Sequence, residues 1–132
     1  MRIHVCGVRG STPEPGGEFV CYGGHTSCLA LAHDGQRPSL LLDAGTGIRR
    51  ASALFDGTAF DGAILLGHLH WDHTQGLPFF GAGDDPGSRV DLYSPAQGDT
   101  EVVLGGVDVA SSFPDHTSGA SWLVEVLGTR AR

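Results

Sequence analysis

The residues richest in chemistry are His68, His70, Asp72 and His73, which place three imidazoles and a carboxylate within six residues, directly after the apolar run Ala63, Ile64, Leu65 and Leu66. Neutral imidazole suits zinc, iron, manganese or nickel, and a carboxylate hardens the donor set. A mixed His and Asp group without cysteine therefore points to a hydrolytic metal centre rather than a structural one. In an extended backbone successive side chains alternate faces, which predicts His68, His70 and Asp72 on one side, with a turn near Asp72 bringing His73 round to join them. That spacing suits two adjacent cations better than one. Two cations about 3.5–4 Å apart can hold nucleophile and leaving group together while lowering the pKa of bound water. The ordinary alternative, histidines with no shared role, fits a lone His better than a cluster at a strand end.

Elements that could position this cluster follow from the apolar pattern. Runs at residues 3–8, 27–32, 39–42, 63–66, 90–93, 102–109 and 122–127, mostly bounded by Gly, Pro, Asp or Ser, predict strands. Helical signal is thinner: residues 47–55, with Ile48, Ala51, Leu54 and Phe55 on one face, and residues 74–80, which Pro78 would distort. The 21 glycines, roughly twice the usual share, imply tight turns between short strands. Residues 81–88 read as an exposed loop. An α/β or α+β sheet protein with few helices follows, as one domain over residues 1–132.

Charge narrows the partners. The chain carries −7 overall, with eight Arg and no Lys, which argues against a general electrostatic grip on nucleic acid while leaving single small phosphoesters open as substrates. Without Lys there is no Schiff-base chemistry and no Walker-type phosphate lysine. Cys6, Cys21 and Cys28 form no CxxC pair and are odd in number, so they read as reduced, mostly buried thiols. No apolar stretch approaches the roughly 18 residues of a membrane span, and the N-terminus lacks a signal-peptide hydrophobic region, so a cytoplasmic location without membrane association is expected.

The hexapeptide from His68 to His73 matches the HxHxDH signature of the metallo-β-lactamase superfamily. Its flanks resemble the phosphodiesterase and tRNA 3′-processing ribonuclease branches. The similarity rests on residues 7–13 (GVRGSTP), 22–28 (YGGHTSC), 41–49 (LLDAGTGIR) and 68–73, followed by Gln75, Gly76, Leu77, Pro78, Phe79 and Phe80. It implies an αββα sandwich, here incomplete and mainly its N-terminal half. It also implies two divalent ions, zinc first with manganese or iron as alternatives, His68 and His70 on the first metal, Asp72 and His73 on the second, and a bridging hydroxide as nucleophile. A third histidine on the first metal is implied too, and the context of His116 resembles it, although Asp115 is an equally plausible carboxylate and an exposed loop His is the ordinary alternative. The bridging Asp and last His of the family have no counterpart beyond His116.

The activity implied is phosphodiester hydrolysis of a small phosphoester or nucleotide-like substrate, with Asp72 holding a metal and accepting a proton from water. A non-catalytic metal-binding domain, or a hydrolase of lactams or thioesters, are the alternatives. An uncovered sheet face would favour a homodimer.

Other positions stay open between two roles. Asp43 either orients a metal-bound histidine, as the resemblance also suggests, or caps the turn before Gly45. His25 is a loop hydrogen-bonder or a substrate contact. Arg9 and Ser11 lie in a glycine-rich turn where a guanidinium could meet phosphate, or are ordinary surface groups. Trp71, Phe79 and Phe80 wall a pocket or fill the core. The run from Gly45 to Arg50 superficially resembles a dinucleotide fingerprint, but Arg50 stands where the third glycine is needed.

Overall fold

Short apolar runs closed by Gly, Pro and Asp have too few residues for stable helices and enough to pair edge to edge. In the computed structural model, which describes residues 1–95 and the backbone of 121–127, they pair as strands β1 (Arg2–Gly7), β2 (Cys28–Ala32), β3 (Pro38–Leu42), β4 (Asp61–Leu65), β5 (Arg89–Pro95) and β6 (Ser121–Leu127). They form one sheet in sequence order. β1, β2 and β3 pair antiparallel, whereas β3 through β6 pair parallel, so this is a mixed α/β sheet. Each predicted strand within the described residues is present with ends shifted by one or two positions. The run at 102–109 and His116 lie outside the described residues.

Parallel neighbours need crossovers, and here they are short. The link from β3 to β4 carries α1 (Ile48–Ala51) and a 3-10 turn (Ser52–Phe55), so the helix predicted over 47–55 forms but tightens half-way. It ends because Asp56 and Gly57 take positive φ, which reverses the chain. The link from β4 to β5 carries α2 (Trp71–Thr74) and a 3-10 turn (Leu77–Phe79). This corrects the helix predicted over 74–80: the first turn begins at Trp71, and Pro78, lacking an N–H, is accommodated only in the first turn of a new segment.

The core lies on one face of the sheet. Cys28, Ala30, Leu41, Ile64, Val90 and Leu92 are buried there against Ile48, Ala51, Phe55, Leu77 and Phe80 from the crossovers. The other face carries Leu29, Leu31, Leu40 and Leu42 half-buried, with Ile3 and Val5 more than half exposed (56% and 59%). Among the described residues no second sheet covers it, and no helix is long and apolar enough to cross a membrane.

Three fully or almost fully buried rings hold the helical layer to the sheet. Phe55, Phe60 and Phe80 meet edge to face, with centroids 5.4, 5.2 and 6.2 Å apart. Phe60 touches both others, and its backbone N–H donates to Ala82 O, so removing its ring leaves a void that both neighbouring rings face. Phe60→Ala should therefore cost about 3–5 kcal/mol of unfolding free energy in a urea titration. A loss under about 1 kcal/mol would show that the trio does not organise the core.

Candidate metal centre

The site is assembled at one end of the sheet, where β3 and β4 deliver their carboxyl ends side by side, a usual place for ligands in parallel sheets. β4 stops at Leu65, and residues 66–70 run as a loop before the helical turn at Trp71. The strand alternation expected through Asp72 is therefore absent, which corrects the prediction that His68, His70 and Asp72 share a face by periodicity. What brings donors together is the turn: His73 N–H donates to His70 O at 2.9 Å, folding the segment back on itself.

His68, Asp72 and His73 converge. One ligand atom from each lies within 4.8 Å of the others, and all three are half-buried. The rings of His68 and His73 are tilted with centroids 3.8 Å apart, and His73 Nε2 lies 3.3 Å from Asp72 Oδ2. His70 is exposed, its ring edge-on to His68 at 4.6 Å, and it lies outside this trio. The grouping thus crosses the division implied by the family resemblance, in which His68 pairs with His70 and Asp72 with His73.

Asp43 stands behind His73. Its Oδ2 accepts from Ser27 Oγ at 2.8 Å and its Oδ1 accepts from Gly67 N–H at 2.7 Å, while His73 Nδ1 lies 2.8 Å from Oδ2. That last approach is close but not aligned as a hydrogen bond, so His73 Nδ1 is buried with no hydrogen-bond acceptor. Asp43 also has φ +61°, a left-handed conformation that Asp tolerates better than most residues.

Ser11 contributes through its backbone. Its N–H donates to Asp72 Oδ2 at 2.8 Å, from a residue that itself has φ +63°. Partial burial raises the Asp72 pKa, but the hydrogen bonds from Ser11 and from its own N–H, with the charges of His73 and His68, outweigh this and hold it below the usual carboxylate range. Asp72 is therefore a carboxylate at neutral pH.

Arg9 and His25 lie beside the centre rather than in it. The Arg9 guanidinium sits 4.5 Å over the Phe19 ring, with Nε buried and without a hydrogen-bond partner. His25 Nδ1 lies 3.3 Å from Thr46 Oγ1; burial first, and then the charges of Arg50 and Arg49, lower its pKa and keep it neutral. Trp71 and Phe79 are exposed, whereas Phe80 is core.

Sequence reasoning missed Ser27, Gly67 and the Thr26–Thr46 pair. Thr26 N–H donates to Thr46 Oγ1 at 3.0 Å and Thr46 N–H donates to Thr26 Oγ1 at 2.8 Å, locking the loop before β2 to the loop after β3. Gly45 sits in this lock, because a Cβ there would collide with Asp72 O and Thr26 Oγ1. The signal available beforehand was that Ser27 and Thr26 fall inside the stretch that resembles the family; nothing local singled out Gly67.

The chain is 30% identical over 127 residues to a protein named ribonuclease Z from Natronomonas pharaonis, a similarity covering 92% of this chain and 38% of that protein. The chain thus spans well under half the length of this curated relative. No protein-family profile matches it, and no solved structure matches it.

The donor set fits a divalent cation: the imidazoles of His68 and His73 and the Asp72 carboxylate offer one ligand atom each within 4.8 Å of one another, with Asp43 Oδ2 2.8 Å from His73 Nδ1. If Asp43 fixes His73 for that purpose, Asp43→Asn should weaken Zn²⁺ binding by about 10–100-fold in a competition titration with a chromophoric chelator. Asn tolerates the left-handed backbone, so the fold should survive. Unchanged affinity would reduce Asp43 to a turn residue.

Proposed function

We propose that this chain is a metal-dependent hydrolase of phosphodiesters, built on the metallo-β-lactamase plan. The observation that carries the reading is the convergence of His68, Asp72 and His73 at the strand ends, braced by Asp43 and Ser11. The similarity to a protein named ribonuclease Z over 92% of the chain supports it independently. So does the apolar sheet face of Ile3, Val5, Leu29, Leu31, Leu40 and Leu42, since an αββα sandwich packs its second sheet on such a face.

In this reading His68, Asp72 and His73 hold the cation, and His70 and His116 are the further donors of a binuclear site. When bound, divalent cations polarise the phosphoryl oxygen and bring the pKa of water toward neutrality. The chain supplies the positioning. Asp72, ionised and oriented by Ser11 N–H, is placed to take a proton from the attacking water. Asp43 and its Ser27 and Gly67 donors keep the His73 ring from turning away. Arg9, held on Phe19 with an unsatisfied N–H, is a candidate contact for a substrate phosphate.

The substrate class is a phosphodiester of a small phosphoester or nucleotide. The similarity to a protein named ribonuclease Z brings RNA into that class, despite the acidic overall charge of the chain.

The test is hydrolysis of a bis-aryl phosphodiester, and of a short RNA, by the full chain. Chelation should abolish turnover and added Zn²⁺ or Mn²⁺ should restore it, while Asp72→Asn should lower kcat by about 100-fold or more. Turnover that survives exhaustive chelation, or that is confined to lactams or thioesters, would overturn the reading.

A further inference from the structure

Cys6 and Cys28 are the two buried thiols of the chain's described residues, and they lie on neighbouring antiparallel strands. Val5 pairs with Leu29 and Gly7 pairs with Cys28, so the register slips at Cys6 and a bulge sets both Cys6 and Gly7 against Cys28. Both sulfurs enter the same core cluster, with Cys6 6% and Cys28 0% exposed. Cys6 Sγ donates to His4 O at 3.8 Å, and the two thiols are close enough that each is the largest influence on the other's acidity. Opposed residues of paired strands have Cα atoms about 4.5–5.5 Å apart, inside the span of about 4.4–6.8 Å that a disulfide requires.

We propose that Cys6 and Cys28 form a reversible intramolecular disulfide, closed by hydrogen peroxide, at the base of the loops that build the metal centre. The Cys6 thiolate attacks one peroxide oxygen, the O–O bond breaks, and the departing hydroxide takes the Cys28 proton to leave as water. The sulfenic acid on Cys6 is then attacked by Cys28 sulfur. The S–S bond forms, the S–O bond breaks, and the second hydroxide takes from solvent the proton that Cys6 had released. Two thiols are oxidised, one peroxide is reduced, and two waters result.

The pair divides the labour of that sequence. The neighbouring Cys28 thiol outweighs burial, and with the Arg50 charge brings the Cys6 thiol down to about 7, so Cys6 is the attacking sulfur. The Cys6 thiol beside it, then burial and the charges of Cys6 and Asp43, push Cys28 upward, so Cys28 holds its proton until the first leaving group takes it. Exposed Cys21 lies outside the β1–β2 pair and takes no part.

The position gives the bond consequences. Cys28 follows Ser27, whose hydroxyl holds Asp43, and Cys6 opens the segment leading to Ser11, whose N–H holds Asp72. A disulfide would staple the roots of both supports together. This proposal is independent of the hydrolase reading, because it concerns the thiols whatever the site binds.

The test uses the full-length chain with the exposed competitor removed, Cys21→Ser, reduced and then treated with one equivalent of hydrogen peroxide. Thiol counting should fall to zero, and peptide mapping should show a Cys6–Cys28 cross-link within single chains, reopened by dithiothreitol. In Cys21→Ser with Cys28→Ser, a dimedone-type probe should trap Cys6 as its sulfenic acid, whereas Cys21→Ser alone should give little adduct. Two thiols persisting in Cys21→Ser, cross-links only between chains, or Cys6 advancing to sulfinic acid without a cross-link would each overturn the proposal.

Discussion

The Asp43 carboxylate is the constraint on which the rest of the site depends, because its two oxygens are shared among segments distant in sequence. Ser27 leads into β2, Gly67 follows β4, and His73 belongs to α2, yet all three meet the side chain of the residue that follows β3. Asp43 N–H is itself tied to Leu65 O, so backbone and side chain both serve the junction. A half-buried carboxylate of this kind is costly unless its lone pairs are used, and here donors from two sides use them. The left-handed backbone at Asp43 is retained because the surrounding bonds over-determine it.

Local structure around that junction is too short to stand alone. A four-residue helical turn such as Trp71–Thr74 cannot offset its own nucleation cost. It persists because Ala44 N–H donates to His73 O and Gly76 N–H donates to Ala44 O, which lash the turn to the end of β3 at 2.8 Å each. Gly45 permits that close approach, and the reciprocal Thr26 and Thr46 bonds fix the loop on its far side. The donors are thus organised by backbone contacts from neighbouring loops, and the hydrophobic layer on the sheet's inner face supplies the rigid floor beneath them.

How far this could be read from the sequence depends on the range of each signal. The strands were legible because alternation and turn residues are local, and the donor types were legible because His68, Asp72 and His73 sit within six residues. The grouping of those donors was not, because it turns on where β4 stops: alternation projected through Asp72 fails once the chain leaves the strand at Leu65. Ser27, Gly67 and the pairing of Cys6 with Cys28 were illegible for a different reason. They depend on which strands become neighbours and on a bulge between Val5 and Gly7, and register is a property of the folded sheet rather than of any one segment. His116, singled out from its context, lies outside the described residues.

Charge places a further demand on the centre. A chain at −7 repels a phosphoester at long range, but at physiological salt such repulsion is screened beyond about 8 Å, so only groups close to the site decide whether phosphate is welcome. Asp43 and Asp72 alone would make this end of the sheet hostile to it. Burial and then the charges of Arg50 and Arg49 keep the His25 ring neutral, and Arg9 is held on Phe19, so three of the chain's eight arginines stand near His25 or the Phe19 ring and outside the carboxylate pair. The two carboxylates face the histidines instead, which is the arrangement expected where their charge is to be balanced by a cation and not by the arginines. Separating the charges in this way leaves the guanidinium groups available for an anionic substrate, a condition that a site paired throughout by salt bridges would not meet.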